Sequence, residues 1–354
     1  MKATQQLHDL GQSLWVDNIT RTMLDDGTLA GYIDELSVTG LTSNPTIFDK
    51  AIGGGSAYDE QIAELSERGL SGEDLFFELA LTDLRRAAAL FHGVHERTDG
   101  VDGRVSLEVS PLLADDAEAT IAQAARLYGR AEENFFIKIP GTEAGRTAIE
   151  ETIFAGIPVN VTLLFSAEQY AGAADAYMRG VESRIEAGLN PNVGSVASLF
   201  VSRWDAAIAD EVPAELRNRL GIAVGRHAYA AYRELLESKR AQRIANEGGR
   251  PQRLLMASTG TKDPDASDVL YIGSLAAPLT VNTMPEKTLR AFADHGELAA
   301  PIPADGADAR ETLAAFESAG IDVTALAARL QEEGKESFSA SWRDLLGTLE
   351  KQLV

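Results

Sequence analysis

Lys138 stands in Asn134-Phe135-Phe136-Ile137-Lys138-Ile139-Pro140, a run with the pattern of a buried strand. Burial among Phe and Ile side chains disfavours a charged ammonium, which can lower a lysine's pKa until its amine is nucleophilic at neutral pH. Such an amine attacks a carbonyl and forms a Schiff base. The alternative is a lysine near the strand's end that snorkels to water or pairs with a carboxylate.

Other polar residues sit at alternate positions of similar runs, and alternate side chains of a strand share one face. Glu108 lies with Ser106 and Ser110, opposite Leu107 and Val109. Asn160 and Thr162 share a face opposed by Val159, Val161 and Leu163, Ser198 pairs with Phe200, and Trp15 with Asp17. A structural Lys138–Glu108 ion pair would account for two of these residues. It would leave Asp17, Asn44, Asn160, Thr162 and Ser198 unexplained, and burying so many polar groups is costly unless they partner one another. Singly, several have simpler readings. Asp17 could cap a helix, and Asn44 before Pro45 is a common turn start. Arg203 could pair with Asp205, and Lys262 could be an ordinary exposed loop residue. Glu108 is harder to dismiss, because glutamate suits strands poorly and is rarely buried alone. Together the set reads as an active site.

The elements that must position them alternate along the chain. Strands are expected near Ser13–Asp17, Leu36–Thr42, Arg104–Ser110, Asn134–Pro140, Ile157–Phe165, Ser195–Val201, Gln252–Ser258 and Pro278–Thr283. Helices are expected over Gly72–Glu96, Ala114–Arg130, Glu143–Ala155, Ala167–Ala187 and Val224–Asn246. Thr142 is the expected N-cap of the third helix and Gly156 its stop. Such alternation specifies a parallel sheet covered by helices, and eight units favour a closed (β/α)₈ barrel. The polar residues then point inward, late in their strands, where such barrels carry their sites. Asp268–Gly273 could form a ninth strand and spoil the count. An open Rossmann sheet would need a Gly-x-Gly-x-x-Gly turn after an early strand, and none is present. Gly53-Gly54-Gly55-Ser56 lacks the Gly-Lys-Ser/Thr ending of a P-loop and reads as a flexible connection. From Pro285 the chain looks helical and polar. We read residues 1–354 as one barrel domain, with 285–354 a helical extension that covers the barrel's mouth or flank.

The 354 residues carry a formal charge of −22 and no cysteine. Thiolate chemistry and disulfides are thereby excluded, and the acidic balance opposes binding to nucleic acid or an anionic membrane. The five histidines have no zinc-site spacing. The opening residues lack an apolar signal-like stretch, so a cytoplasmic location is expected. An acidic protein can still bind an anionic metabolite where a few cations converge. The loops after the last barrel strands often hold phosphate in this fold, and Arg203 and Lys262 would supply charge there.

Four segments resemble the transaldolases, class I aldolases built on a (β/α)₈ barrel. They are Val38 to Phe48, with Thr42-Ser43-Asn44-Pro45 at its centre, Val105-Ser106-Leu107-Glu108-Val109-Ser110-Pro111, Ile137-Lys138-Ile139-Pro140, and Asn160-Val161-Thr162-Leu163-Leu164-Phe165-Ser166. The longer C-terminal part, with Val281-Asn282-Thr283-Met284-Pro285, is similar to a longer-chain bacterial branch. The resemblance implies transfer of a dihydroxyacetone unit from sedoheptulose 7-phosphate to glyceraldehyde 3-phosphate, in the non-oxidative pentose phosphate pathway. It implies Lys138 as the Schiff-base residue, Glu108 as proton shuttle through a water held with Thr162, and Asp17 as the base for cleavage. It also implies Asn44 and Asn160 on the dihydroxyacetone hydroxyls, Ser198 and Arg203 on phosphate, and Phe200 as a wall. No cofactor or metal is called for. The match departs after the seventh strand, where Ala257-Ser258-Thr259-Gly260-Thr261-Lys262 offers Lys262 in place of an arginine. The implied partners are phosphorylated sugars, with the protein a monomer or homodimer. A simple aldolase that releases free dihydroxyacetone is one rival. A non-catalytic sugar-phosphate binder with a structural Lys138–Glu108 pair is the other.

Overall fold

The computed structural model describes residues 1–353. Eight parallel strands close on one another in sequence order. They are β1 (Ser13–Asp17), β2 (Val38–Thr42), β3 (Arg104–Glu108), β4 (Phe135–Pro140), β5 (Val159–Leu164), β6 (Ser195–Phe200), β7 (Arg253–Ala257) and β8 (Val281–Met284). Helices connect them, and further helices follow β8, so the chain is a (β/α)₈ barrel with additional C-terminal helices. The aliphatic positions of the strands, among them Leu107, Ile137, Ile139 and Val161, are buried. They belong to a continuous core with the surrounding helices.

Register brings the polar positions together. Glu108 pairs with Lys138 across β3 and β4, and Lys138 with Asn160 across β4 and β5. Asp17 pairs with Thr42 across β1 and β2. Beneath this row the interior is filled by Trp15 and Phe136, whose ring centres lie 6.1 Å apart. Gly40 makes room for that indole, since a Cβ there would stand 2.5 Å from Trp15 Nε1. The filled lower layer leaves the polar row open only toward the strands' C-terminal ends.

Three segments differ from expectation. Asp268–Gly273 is no ninth strand; its latter part enters the short helix Leu270–Ser274. Leu36 ends the helix Thr28–Leu36 rather than opening β2, because Ser37 turns the chain at φ +58°. The helix expected over Val224–Asn246 is two, Leu220–Glu237 and Lys239–Asn246. They are split at Ser238, whose extended backbone and side chain cap the second helix at Ala241 N, 3.1 Å away. The cap at Thr142 forms as expected, with Gly156 at φ +84° beyond that helix's end.

After β8 the helix Glu286–His295 packs on β1 and on the N-terminal helix Ala3–Asp9. The last helix, Val323–Gln352, crosses the barrel. Trp342 anchors it edge-on against Phe76 at 5.0 Å, and Thr348 Oγ1 donates to Asp49 at 2.7 Å. Asp49 belongs to the helix Pro45–Gly53, which therefore holds the last helix at one side of the mouth. At the other side Gln331 Nε2 donates to Leu163 O at 2.8 Å. Leu163 offers that carbonyl from a positive φ of 59°, where β5 loses its register with β6. Gly334 lets the helix lie this close, because a Cβ there would meet Leu163 Cδ2 at 2.9 Å. No described helix is long and apolar enough to cross a membrane.

Candidate active site

Lys138 is almost wholly withdrawn from solvent, its side chain 6% exposed and that of Glu108 3%. Its Nζ donates to Glu108 Oε2 at 2.9 Å and to Ser43 O at 3.2 Å. An ammonium has three donors, so these bonds leave one unplaced. Glu108 Oε1 and Thr162 Oγ1 are buried without a hydrogen-bond partner among the described residues. Buried polar atoms normally find partners, so two orphans flanking one lysine mark a place built for a third molecule. Burial pushes the Glu108 carboxyl up from its ordinary value, against the pull of Lys138.

Asp17 stands across the mouth. Thr42 Oγ1 donates to its Oδ1 at 2.7 Å and touches Thr283 Oγ1 at the same distance. Desolvation raises Asp17 too, with Lys138, Thr42 and Lys262 pulling the other way. It caps no helix: the helix Arg21–Asp25 is capped by Thr20. Asn44 does cap, its Oδ1 accepting from Ile47 N at 3.1 Å, and it also lines the cavity. Turn and site readings therefore both apply to Asn44.

The cavity measures about 300 Å³ and takes walls from Asp17, Asn44, Lys138, Thr162, Ser198 and Phe200, with Arg203 and Lys262 at its cationic side. Glu108 and Asn160 stand behind that surface. Asn160 is held from both ends, donating to Ser106 Oγ at 3.0 Å and accepting from Ser198 Oγ at 2.8 Å. Phe200 stacks on Phe165, ring centres 5.3 Å apart. The Arg203 guanidinium lies 5.2 Å over Phe200, and burial lowers its pKa. Its expected partner Asp205 is engaged elsewhere, accepting from Leu220 N, Gly221 N and Tyr271 OH at 2.8–3.0 Å. Lys50 lines the cavity as well, and among the described residues none of Lys50, Arg203 and Lys262 forms an ion pair, although the chain carries a charge of −22. Three uncommitted cations at one cavity suit an anionic ligand.

Comparison with known proteins accords with this geometry. Residues 14–349 match the family described as "Transaldolase/Fructose-6-phosphate aldolase". The transaldolase of Saccharopolyspora erythraea is 44% identical over 99% of this chain and 97% of its own. The chain belongs to this family. The transaldolase of Thermobifida fusca is 45% identical over 99% of this chain and 98% of its own. Transaldolase 1 of Streptomyces coelicolor is 43% identical, covering 99% and 95%. As a member of the transaldolase family the chain is a transferase.

The site also contains residues that sequence reading missed. Phe338, from the last helix, lines the cavity with its ring centre 5.5 Å from Lys138 Nζ and 5.7 Å from the Arg203 guanidinium. Phe338, Trp342, Leu345 and Leu349 repeat at helical spacing and are all buried, so the pattern announces a packed face. It does not announce which member reaches a lysine 200 residues earlier. Thr42, which holds Asp17, and Thr283, which contacts Thr42, lie in strands whose partners only the closed barrel reveals.

Proposed function

We propose that the protein transfers a dihydroxyacetone unit between phosphorylated sugars through a Schiff base on Lys138. The observation that carries this reading is the Lys138–Glu108 pair flanked by the orphaned Glu108 Oε1 and Thr162 Oγ1, at the floor of a cavity with three uncommitted cations.

Lys138 Nζ attacks the C2 carbonyl of sedoheptulose 7-phosphate as Glu108 takes a proton from the nitrogen. Burial suits Glu108 to this work, because a raised carboxyl holds the proton long enough to return it. A water bridging Glu108 Oε1 and Thr162 Oγ1 carries that proton to the former carbonyl oxygen, and then a second from the nitrogen by the same route, so that the oxygen leaves as water and gives the iminium. Asp17 takes the proton of the C4 hydroxyl, the C3–C4 bond breaks, and its electrons enter the iminium to give an enamine. Erythrose 4-phosphate departs. Glyceraldehyde 3-phosphate takes its place, and the same steps in reverse yield fructose 6-phosphate and the free lysine.

Asn44 binds the hydroxyls of the three-carbon unit and Phe200 walls it, while Asn160, held at both ends by Ser106 and Ser198, supports the wall beside Lys138. The Ser198 hydroxyl donates to Asn160, so its part is to fix that amide. Arg203 and Lys262 hold the phosphate, the guanidinium as a fork and the ammonium as a point charge. The route needs side chains alone. We assign it to the cytoplasm, in the non-oxidative pentose phosphate pathway, and to a monomer or homodimer without nucleic-acid partners.

The test supplies fructose 6-phosphate and erythrose 4-phosphate and measures sedoheptulose 7-phosphate. Its formation at a rate above that of free dihydroxyacetone release is the expected result. Release of free dihydroxyacetone without heptulose would assign the protein to simple aldol cleavage instead.

A further inference from the structure

The last helix contributes a single ring to the cavity, and that ring touches both ends of the proposed chemistry. Phe338 is 7% exposed and lies between the nitrogen that would carry the three-carbon unit and the guanidinium that would hold phosphate. It also meets Phe200 edge-on at 6.3 Å, and Phe200 is stacked on Phe165, so three rings form one apolar wall beside Lys138. Phe338 belongs to the buried face of the helix, but the helix is also fixed at other points. Trp342 and Thr348 anchor the helix on one side of the mouth and Gln331 on the other, with Gly334 admitting the close approach to Leu163. Phe338 lies between these anchors and is carried over Lys138 by them.

We propose that Phe338 decides between transfer and loss of the bound three-carbon unit by keeping water from it. This rests on the Schiff-base reading above. After the first aldehyde departs, the enamine on Lys138 has two fates. Addition to an incoming aldehyde forms a new C–C bond and completes transfer. Alternatively C3 takes a proton to regenerate the iminium, and water adds at C2. The added water gives one proton to nitrogen, the C–N bond breaks with its electron pair on nitrogen, and the remaining hydroxyl proton passes through Glu108 to that nitrogen, so free dihydroxyacetone leaves with the ammonium restored. Both steps of the second fate consume solvent: one proton and one water. An apolar ring over Lys138 keeps solvent other than the water held by Glu108 and Thr162 from the enamine carbon, whereas the incoming aldehyde brings its own phosphate to Arg203 and displaces water as it enters. The Arg203 guanidinium lies over the same ring, 5.7 Å from its centre, so the wall closes around a phosphate-bearing acceptor as well as around the enamine.

The experiment compares the parent with Phe338→Ala and Phe338→Leu. Transfer is measured with fructose 6-phosphate and erythrose 4-phosphate. Loss is measured as free dihydroxyacetone from fructose 6-phosphate alone, and borohydride trapping reports the adduct on Lys138. Phe338→Ala is expected to raise the ratio of loss to transfer by about tenfold or more while the adduct still forms. Phe338→Leu, which retains apolar bulk and helix packing, is expected to fall between. A ring that merely supports the fold would lower both rates together, and an unchanged ratio in either folded variant would overturn the proposal. Failure of the parent to form any adduct would instead overturn the Schiff-base reading, and this proposal with it.

Discussion

The partly buried Arg21 and the fully buried Asp83 form one ion pair in this protein, and the buried Lys138 and Glu108 form another. Asp83 is fully buried in the helix Gly72–Arg97 and accepts from Arg21 Nε at 3.0 Å and Tyr58 OH at 2.8 Å, so both its oxygens are filled. The same guanidinium also donates to Gln61 Oε1 at 2.5 Å and Ala57 O at 3.3 Å. Lys138 and Glu108 are as dry, yet one carboxylate oxygen, one ammonium donor and the neighbouring Thr162 hydroxyl lack partners. Burial raises both carboxyls, so a shifted pKa does not separate the two sites. Saturation does. A cluster whose polar atoms are all spent can only hold structure, whereas one with spare donors and acceptors beside a cavity can take in a reactant.

The contrast can be broken by substitution. Lys138→Met should abolish adduct formation and lower transfer by about 10⁴-fold or more, since of the lysines at the cavity only Lys138 is paired with Glu108. Residual transfer within an order of magnitude of the parent would remove Lys138 from the chemistry. Glu108→Gln should lower kcat by about 10² to 10⁴-fold, the usual worth of a positioned acid–base group. In stopped-flow and trapping assays the loss should fall on adduct formation.

The saturated pair should respond the opposite way. Asp83→Ala leaves Arg21 and Tyr58 without their acceptor and should cost about 3–5 kcal/mol in urea unfolding, with kcat of the folded enzyme within about twofold of the parent. A large fall in kcat at unchanged stability would show that saturation is a poor guide to role.

The smallest effect sharpens the comparison through pH. Asp17 binds its proton more tightly in the folded than in the unfolded chain, because burial raises it above 3.8. The stability it contributes is present below that ordinary value and is lost as pH rises through the raised native one. Asp17→Asn escapes that loss, so its Tm should gain on the parent's as pH rises from acid to neutral, while its activity falls. A Tm difference that does not change with pH would contradict the raised value.

The strand positions of the site were legible because period-two alternation separates faces without any knowledge of the fold. Glu108, Lys138, Asn160 and Thr162 follow from that rule alone, and counting eight strands supplied the closure that turns one face inward. What stayed hidden depends on contacts between distant segments. The register of β1 with β2 sets Thr42 beside Asp17, and the crossing of the last helix brings Phe338 over Lys138. Local propensity also misled where one side chain overrode the periodic pattern, as at Ser238, or where a short apolar run proved too weak to be a strand, as at Asp268–Gly273.

The central claim is that the unsaturated pair carries covalent chemistry on its nitrogen. Incubating the protein with fructose 6-phosphate, reducing with borohydride and mapping the modified peptide tests it most directly. A reduced three-carbon adduct on Lys138, absent without the sugar, is the predicted result. Fructose 6-phosphate bound at the cavity with Lys138 unmodified would contradict it and leave the Lys138–Glu108 pair a structural one.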